Sequence, residues 1–150
     1  MRRAHILALL VPAALLLGAL VAQHGFGLYP CEMCMWQRWP HVAALALGSL
    51  ALLVEGGKRE VLIWAAILAL ALSGGIGAFH AGVEYGWWTG PTQCGAPPAS
   101  GGDFMTDIMA APLVRCDTAP WSLFGISLAG YNALISTGFA GVAAWLMKRK

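Results

Sequence analysis

Four long apolar runs, with most of the positive charge confined to the two chain ends and one central break, constrain this chain more than any other feature. Ala4 to Ala22 is apolar with Pro12 inside it. A second run spans about Pro40 to Val54 and reaches back toward Cys34 through Met35, Trp36 and Trp39. A third covers Val61 to Ala81, and a fourth Trp121 to Met147. A helix needs about 20 residues to cross about 30 Å of hydrocarbon. The first, third and fourth runs meet that length, and the second meets it once its start is placed near residue 35. Only 11% of residues are charged and 59% are hydrophobic, against about 25% charged in soluble domains. A water-soluble chain of this size could not hide so much apolar surface. The expectation is an all-α integral membrane protein: one domain over 1–150, a bundle of four transmembrane helices at about 4–22, 35–54, 61–81 and 121–147. Two outer loops, 23–34 and the long 82–120, would join them.

The placement of charge orients the bundle. Arg2 and Arg3 open the chain, Lys58 and Arg59 sit in the central break, and Lys148, Arg149 and Lys150 close it. With four spans all three clusters fall on one side, which the positive-inside rule makes the cytoplasm. Both termini are then cytoplasmic and both loops face outward. A nucleic-acid footprint would gather these charges on one face; here they punctuate hydrophobic runs, so no nucleic-acid partner is expected. Met1-Arg2-Arg3 resembles the start of a signal peptide, but the apolar stretch exceeds the usual ~7–15 residues. Small residues at four-residue spacing (Gly74, Ala78, Gly82; Gly125, Ala129; Ala133, Thr137, Gly141) predict close helix packing.

The four cysteines all lie at the outer edge or beyond it. Cys31 and Cys34 form a C-x-x-C motif, and Cys94 and Cys116 lie in the long loop. An oxidising compartment permits disulfides, and four cysteines allow three pairings. A C-x-x-C pair suits a redox shuttle, in which one thiolate attacks and its neighbour resolves the intermediate. From spacing alone, Cys94 and Cys116 read as an ordinary loop staple. Zinc is disfavoured because these two are far apart, and haem attachment because residue 35 is methionine where C-x-x-C-H needs histidine.

Arg38 follows Cys34 by four residues and so lies on the same helix face, one turn away, with His41 close to that face. A cation beside a thiol favours the reactive thiolate. The plainer role for Arg38 is to snorkel to the interface, with Trp36 and Trp39 as belt aromatics; the neighbouring thiol favours the chemical role. A dithiol at a membrane surface needs an electron acceptor, and a quinone dissolved in the bilayer is the one that would require a membrane protein. An arginine there can stabilise the negative charge that develops on the ring.

With these residues assembled, the chain resembles the DsbB family of bacterial inner-membrane disulfide oxidoreductases. The resemblance rests on Gln23-His24, Tyr29-Pro30-Cys31-Glu32-Met33-Cys34, Arg38, Cys94, Cys116 and the order of the four spans, and it covers nearly the whole chain. It implies a thiol oxidase of the bacterial inner membrane that reoxidises a DsbA-like periplasmic dithiol and delivers the electrons to ubiquinone or menaquinone, with no metal. The DsbA–DsbB–quinone system is the known means by which the bacterial periplasm is kept oxidising. By resemblance Cys31 and Cys34 are the quinone-coupled pair, with Cys34 in contact with the quinone. Cys94 and Cys116 become a second redox pair in place of a staple, Cys94 being the sulfur that reduced DsbA attacks. Arg38 would hold the quinone, and His80 and Gln23 occupy places suggestive of support for its site.

Phe104, Met105, Ile108 and Met109 recur at helical spacing in the outer loop, and predict either a short helix on the membrane surface or a cap on the bundle. Two rivals are a quinone reductase of the vitamin K epoxide reductase type and a non-catalytic assembly subunit whose disulfides only brace its loop. In the former the C-x-x-C follows the loop pair, and here it comes first. Glu84, four residues after His80, has no role legible at this level.

Overall fold

Four helices account for most of the structure, a computed structural model that describes residues 2–91 and 114–149. Cys94 and the 103–109 segment lie outside the described residues. The helices are α1 (Arg2–Gly25), α2 (Glu32–Leu50), α3 (Gly56–Glu84) and α4 (Leu128–Lys148), with a two-residue hairpin, β1 (Ser122–Leu123) and β2 (Ile126–Ser127), leading into α4. Of these, α1 and α3 are long and apolar enough, by length and composition, to cross a membrane.

The helix ends differ from the sequence expectation for local reasons. α2 begins three residues before 35 because Cys31 caps it, its Sγ accepting from the Cys34 backbone N–H at 3.3 Å. It stops at Leu50, where the Leu52 and Leu53 N–H groups turn back to Ser49 and Leu50. α3 runs on to Glu84 and closes with Gly86 at φ 72°. The Gly86 N–H reaches the Val83 carbonyl and the Trp87 N–H the Gly82 carbonyl, the paired bonds of a Schellman stop. α4 starts at Leu128 where 121 was expected. Phe124 and Gly125, at φ 52° and 76°, make the kind of turn that joins two short antiparallel strands, and Ser127 then caps the helix by accepting from Gly130 N at 3.1 Å.

The outer face of the bundle is apolar. Leu10, Leu17, Leu53, Leu68, Leu72 and Leu134 face outward, each more than half exposed. The interior holds small residues and several polar ones, His5, Gln37, His41, Ser73, His80 and Ser136 among them. At the end bearing Arg2 and Lys58, Ala4, Ile63, Leu70, Ala143 and Met147 form an apolar core. There His5 Nε2 lies 2.7 Å from the Gly48 carbonyl and Arg59 Nε donates to the Ala51 carbonyl at 3.0 Å. α3 lies close against α4 where glycine faces it. A Cβ on Gly77 would sit 3.0 Å from the Ala129 carbonyl oxygen and from Asn132 Nδ2. Gly74 faces Ser136 and Thr137 in the same way, whereas Gly125 belongs to the hairpin and not to a packing stripe. Because backbone atoms of α4 cannot give way, Gly77→Val is expected to cost about 1–3 kcal/mol by overpacking. Denaturant unfolding of the purified protein, with Gly57→Val (open space) as control, measures it.

Candidate active site

The end of α3 bearing His80 and Glu84 meets the start of α2 and the segment around Cys116. Cys31, Met33, Val83 and Cys116 bury one another there, with Cys34 and Val114 packed against them. Cys31, Cys34 and Cys116 are free thiols. Cys31 Sγ lies 3.0 Å from Cys34 Sγ and donates to it. The sulfurs of Cys31 and Cys116 and a ring nitrogen of His80 all lie within 4.8 Å of one another. By residue type that buried trio could also take a soft cation when both thiols are free. Beside Cys116, Arg115 grips the exposed Asp117 carboxylate through two bonds of 2.8 and 2.5 Å.

The two vicinal thiols differ in kind. Cys34 is held below the ordinary thiol range, first by the hydrogen bond from Cys31, with help from the Arg38 charge and against the cost of burial. Cys31, which supplies that bond, is pushed strongly up by it and by burial. Of the two, Cys34 gives up its proton more readily and Cys31 holds on to its own.

Cys34 also borders a second space. Between α1, α2 and α4 lies a mostly apolar cavity of about 270 Å³, lined by Leu15, Ala19, Leu28 and Leu128 and by the polar groups of Cys34, Arg38, His41 and Asn132. Arg38 is fixed at its wall, donating to Gln23 Oε1 at 2.6 Å and to the Ala19 carbonyl at 3.3 Å. Gln23 thus joins the site through Arg38. On the other side of Cys34 a cleft of about 280 Å³ is lined by Cys31, His80, Glu84 and Arg115. His80 lines this thiol cleft and not the apolar cavity. Its Nε2 lies 3.6 Å from Cys31 Sγ and 3.8 Å from Glu84 Oε1, while Glu84 bonds Ser127 Oγ at the cap of α4.

A polar seam that the sequence reading passed over joins these parts. Gln37 Nε2 donates to the Met33 carbonyl at 3.2 Å and lies 2.8 Å from His80 Nδ1, and Gln37 Oε1 accepts from Asn132 Nδ2 at 2.8 Å. Since the Gln37 amide donates to His80 Nδ1, that nitrogen is an acceptor and the His80 hydrogen sits on Nε2, toward Cys31. Neutral polar residues inside apolar runs were the available signal for Gln37, Ser73, Asn132 and Ser136. Isolated intramembrane polar groups point to function or to packing with a partner.

A depressed Cys34 keeps its thiolate as pH falls below the ordinary value of about 8.5, and loses it only on passing its own lower pKa. The pH profile of Cys34 alkylation by iodoacetamide, followed by mass spectrometry, should lie on the acid side of an ordinary thiol. In Cys31→Ala it should move alkaline, because the hydrogen bond is gone. Superimposable profiles in the two proteins would contradict the assignment.

The family model described as "Disulfide bond formation protein DsbB" matches residues 1–146. Among curated proteins, disulfide bond formation protein B of Aromatoleum aromaticum is 32% identical, over 99% of this chain and 93% of the relative. That of a Polaromonas species is 31% identical over 99% and 91%, and that of Verminephrobacter eiseniae 33% over 89% and 78%. No solved structure gives a significant match. A C-x-x-C at a helix start with its first thiol buried, a third thiol beside it and a family match over nearly the entire length agree, and the chain belongs to the DsbB family of disulfide bond formation proteins.

Proposed function

We propose that this protein is a four-span enzyme of the bacterial inner membrane that reoxidises a DsbA-type periplasmic dithiol and passes the electrons to ubiquinone or menaquinone. The observation that carries this reading is the position of Cys34, which borders both the cleft shared with Cys31 and His80 and the apolar cavity shared with Arg38. A thiolate with a thiol relay on one side and an apolar chamber with an arginine on the other suits electron transfer from dithiols to a lipid-soluble acceptor. The outward leucines and the basic residues at both chain ends and in the α2–α3 turn support a membrane bundle with cytoplasmic termini.

The chemistry proceeds as thiol–disulfide exchange. A partner thiolate attacks Cys94 of the Cys94–Cys116 disulfide and forms a mixed disulfide, releasing Cys116 as thiolate. Cys116 attacks Cys31 of the Cys31–Cys34 disulfide, a step its proximity to Cys31 favours. A Cys31–Cys116 bond forms and Cys34 leaves as thiolate beside Arg38. The second partner thiol then attacks the mixed disulfide, freeing Cys94, and the partner departs oxidised. Cys94 attacks Cys116, restoring their disulfide and releasing Cys31 as a thiolate that takes up the proton Cys94 gave up. Two electrons now reside on Cys31 and Cys34. A quinone accepts two electrons and two protons, and the Cys31–Cys34 disulfide is restored. His80 Nε2–H, 3.6 Å from Cys31 Sγ, stabilises the thiolate that forms there. Arg38, held by Gln23, favours the thiolate of Cys34 and offers donors to a ring oxygen.

Reduced DsbA-type protein should drive ubiquinone reduction, seen as loss of its ultraviolet absorbance. Cys34→Ser should abolish turnover, and Arg38→Met should raise the quinone KM at least tenfold, the worth of a charge-assisted hydrogen bond. No reduction by folded protein with intact disulfides would leave a structural subunit. Orientation is tested separately: a reporter active only outside the cytoplasm should be silent when fused after Gly57 and active when fused after Gly90.

A further inference from the structure

His41 is the polar group that the seam leaves incomplete. It lines the apolar cavity with Cys34 and Arg38, it is 3% exposed, and its Nδ1 has no hydrogen-bond partner among the described residues. Its Nε2 is engaged twice, 2.9 Å from Asn132 Oδ1 and 2.9 Å from Ser73 Oγ. Backbone carbonyls, which only accept, decide where the ring proton sits. Gln37 Nε2 donates to the Met33 carbonyl, so its Oε1 faces Asn132. Asn132 Nδ2 donates to that oxygen and to the Ser73 carbonyl, so its Oδ1 faces His41. An amide oxygen only accepts, and His41 Nε2 therefore carries the hydrogen. Nδ1 is then a bare lone pair. A second proton there would leave a charged N–H unsatisfied in apolar surroundings, at a large cost.

A lone pair accepts from O–H, and a quinone carbonyl has no hydrogen to give. We propose that His41 Nδ1 accepts a hydrogen bond from a phenolic hydroxyl of the hydroquinone, so that the cavity binds the reduced ring more tightly than the oxidised one. This rests on the quinone reading of the cavity and adds a recognition residue to it. Arg38 is three residues earlier on the same helix and lines the same cavity. Arg38 only donates and so serves an oxygen in either state, whereas His41 distinguishes the two. The balance is simple. The Cys31 and Cys34 thiols become a disulfide, and the ring takes their two electrons and the two protons they release. Preferential binding of the reduced ring pulls that exchange forward. A tenfold preference corresponds to about 30 mV on a two-electron couple.

The test uses full-length Cys34→Ser protein, in which neither form of the ring reacts. Binding of a short-chain dimethoxybenzoquinone and of its hydroquinone is measured by equilibrium dialysis, with and without His41→Leu. The hydroquinone should bind about tenfold more tightly, and His41→Leu should erase the preference by weakening the hydroquinone alone. If His41→Leu does not fold, the ratio in the protein that retains His41, and its loss with the hydroquinone dimethyl ether, carry the test. Equal affinity for the two forms, preference for the quinone, or parallel weakening of both by His41→Leu overturns the role of His41 and leaves the quinone site standing. Absence of binding by either ring overturns both.

Discussion

The amide of Gln37 is the joint on which the interior of this bundle depends. A primary amide presents two donors on one side and an acceptor on the other, and here a backbone carbonyl, that of Met33, removes the freedom to flip. With the donor side fixed, Gln37 meets His80 through its nitrogen and Asn132 through its oxygen. Asn132 in turn sets the roles of Ser73, Ser136 and His41. Inside a packed apolar bundle an unsatisfied polar group costs about 1–3 kcal/mol, so each link holds the next. Two carbonyls, those of Met33 and Ser73, thereby decide the tautomers of two histidines that face different spaces, His80 the thiol cleft and His41 the apolar cavity.

That division places donors and acceptors where opposite chemical needs arise. A sulfur that becomes a thiolate needs a donor, and the His80 N–H stands 3.6 Å from Cys31. Cys34 needs its charge stabilised, which the Cys31 hydrogen bond and the Arg38 charge accomplish together. Arg38 would be mobile on a long side chain were it not held by Gln23 and the Ala19 carbonyl of α1. The close approach of α3 to α4 at Gly74 and Gly77 brings Ser73 and Asn132 within bonding distance, so backbone packing and the polar seam are one arrangement.

Much of the site was legible in the chain itself. The C-x-x-C and the i, i+4 relation of Cys34 to Arg38 are local, and the helical repeat turns such spacing directly into proximity. His80 was legible as a candidate but not in its placement, because which side of Cys34 it faces depends on how α3 packs against α2. Glu84 became interpretable only when α4 brought Ser127 to it. Gln37, Ser73, Asn132 and Ser136 were visible as polar residues in apolar runs, yet the partners that join them across helices lie 32 to 95 positions away. No periodicity encodes such pairings.

By itself, then, the sequence determined the helical character of the chain and the chemistry available at the start of the second helix. Hydrophobic run length and four-residue spacing are properties of a single helix and survive without neighbours. Tertiary structure alone decided that Cys116 lies beside Cys31, that Cys34 borders two separate spaces, and that His41 and His80 each hold their proton on Nε2. These are relations between helices. They arise because close packing leaves each interior polar group few partners, and the sequence does not say which side chains will meet.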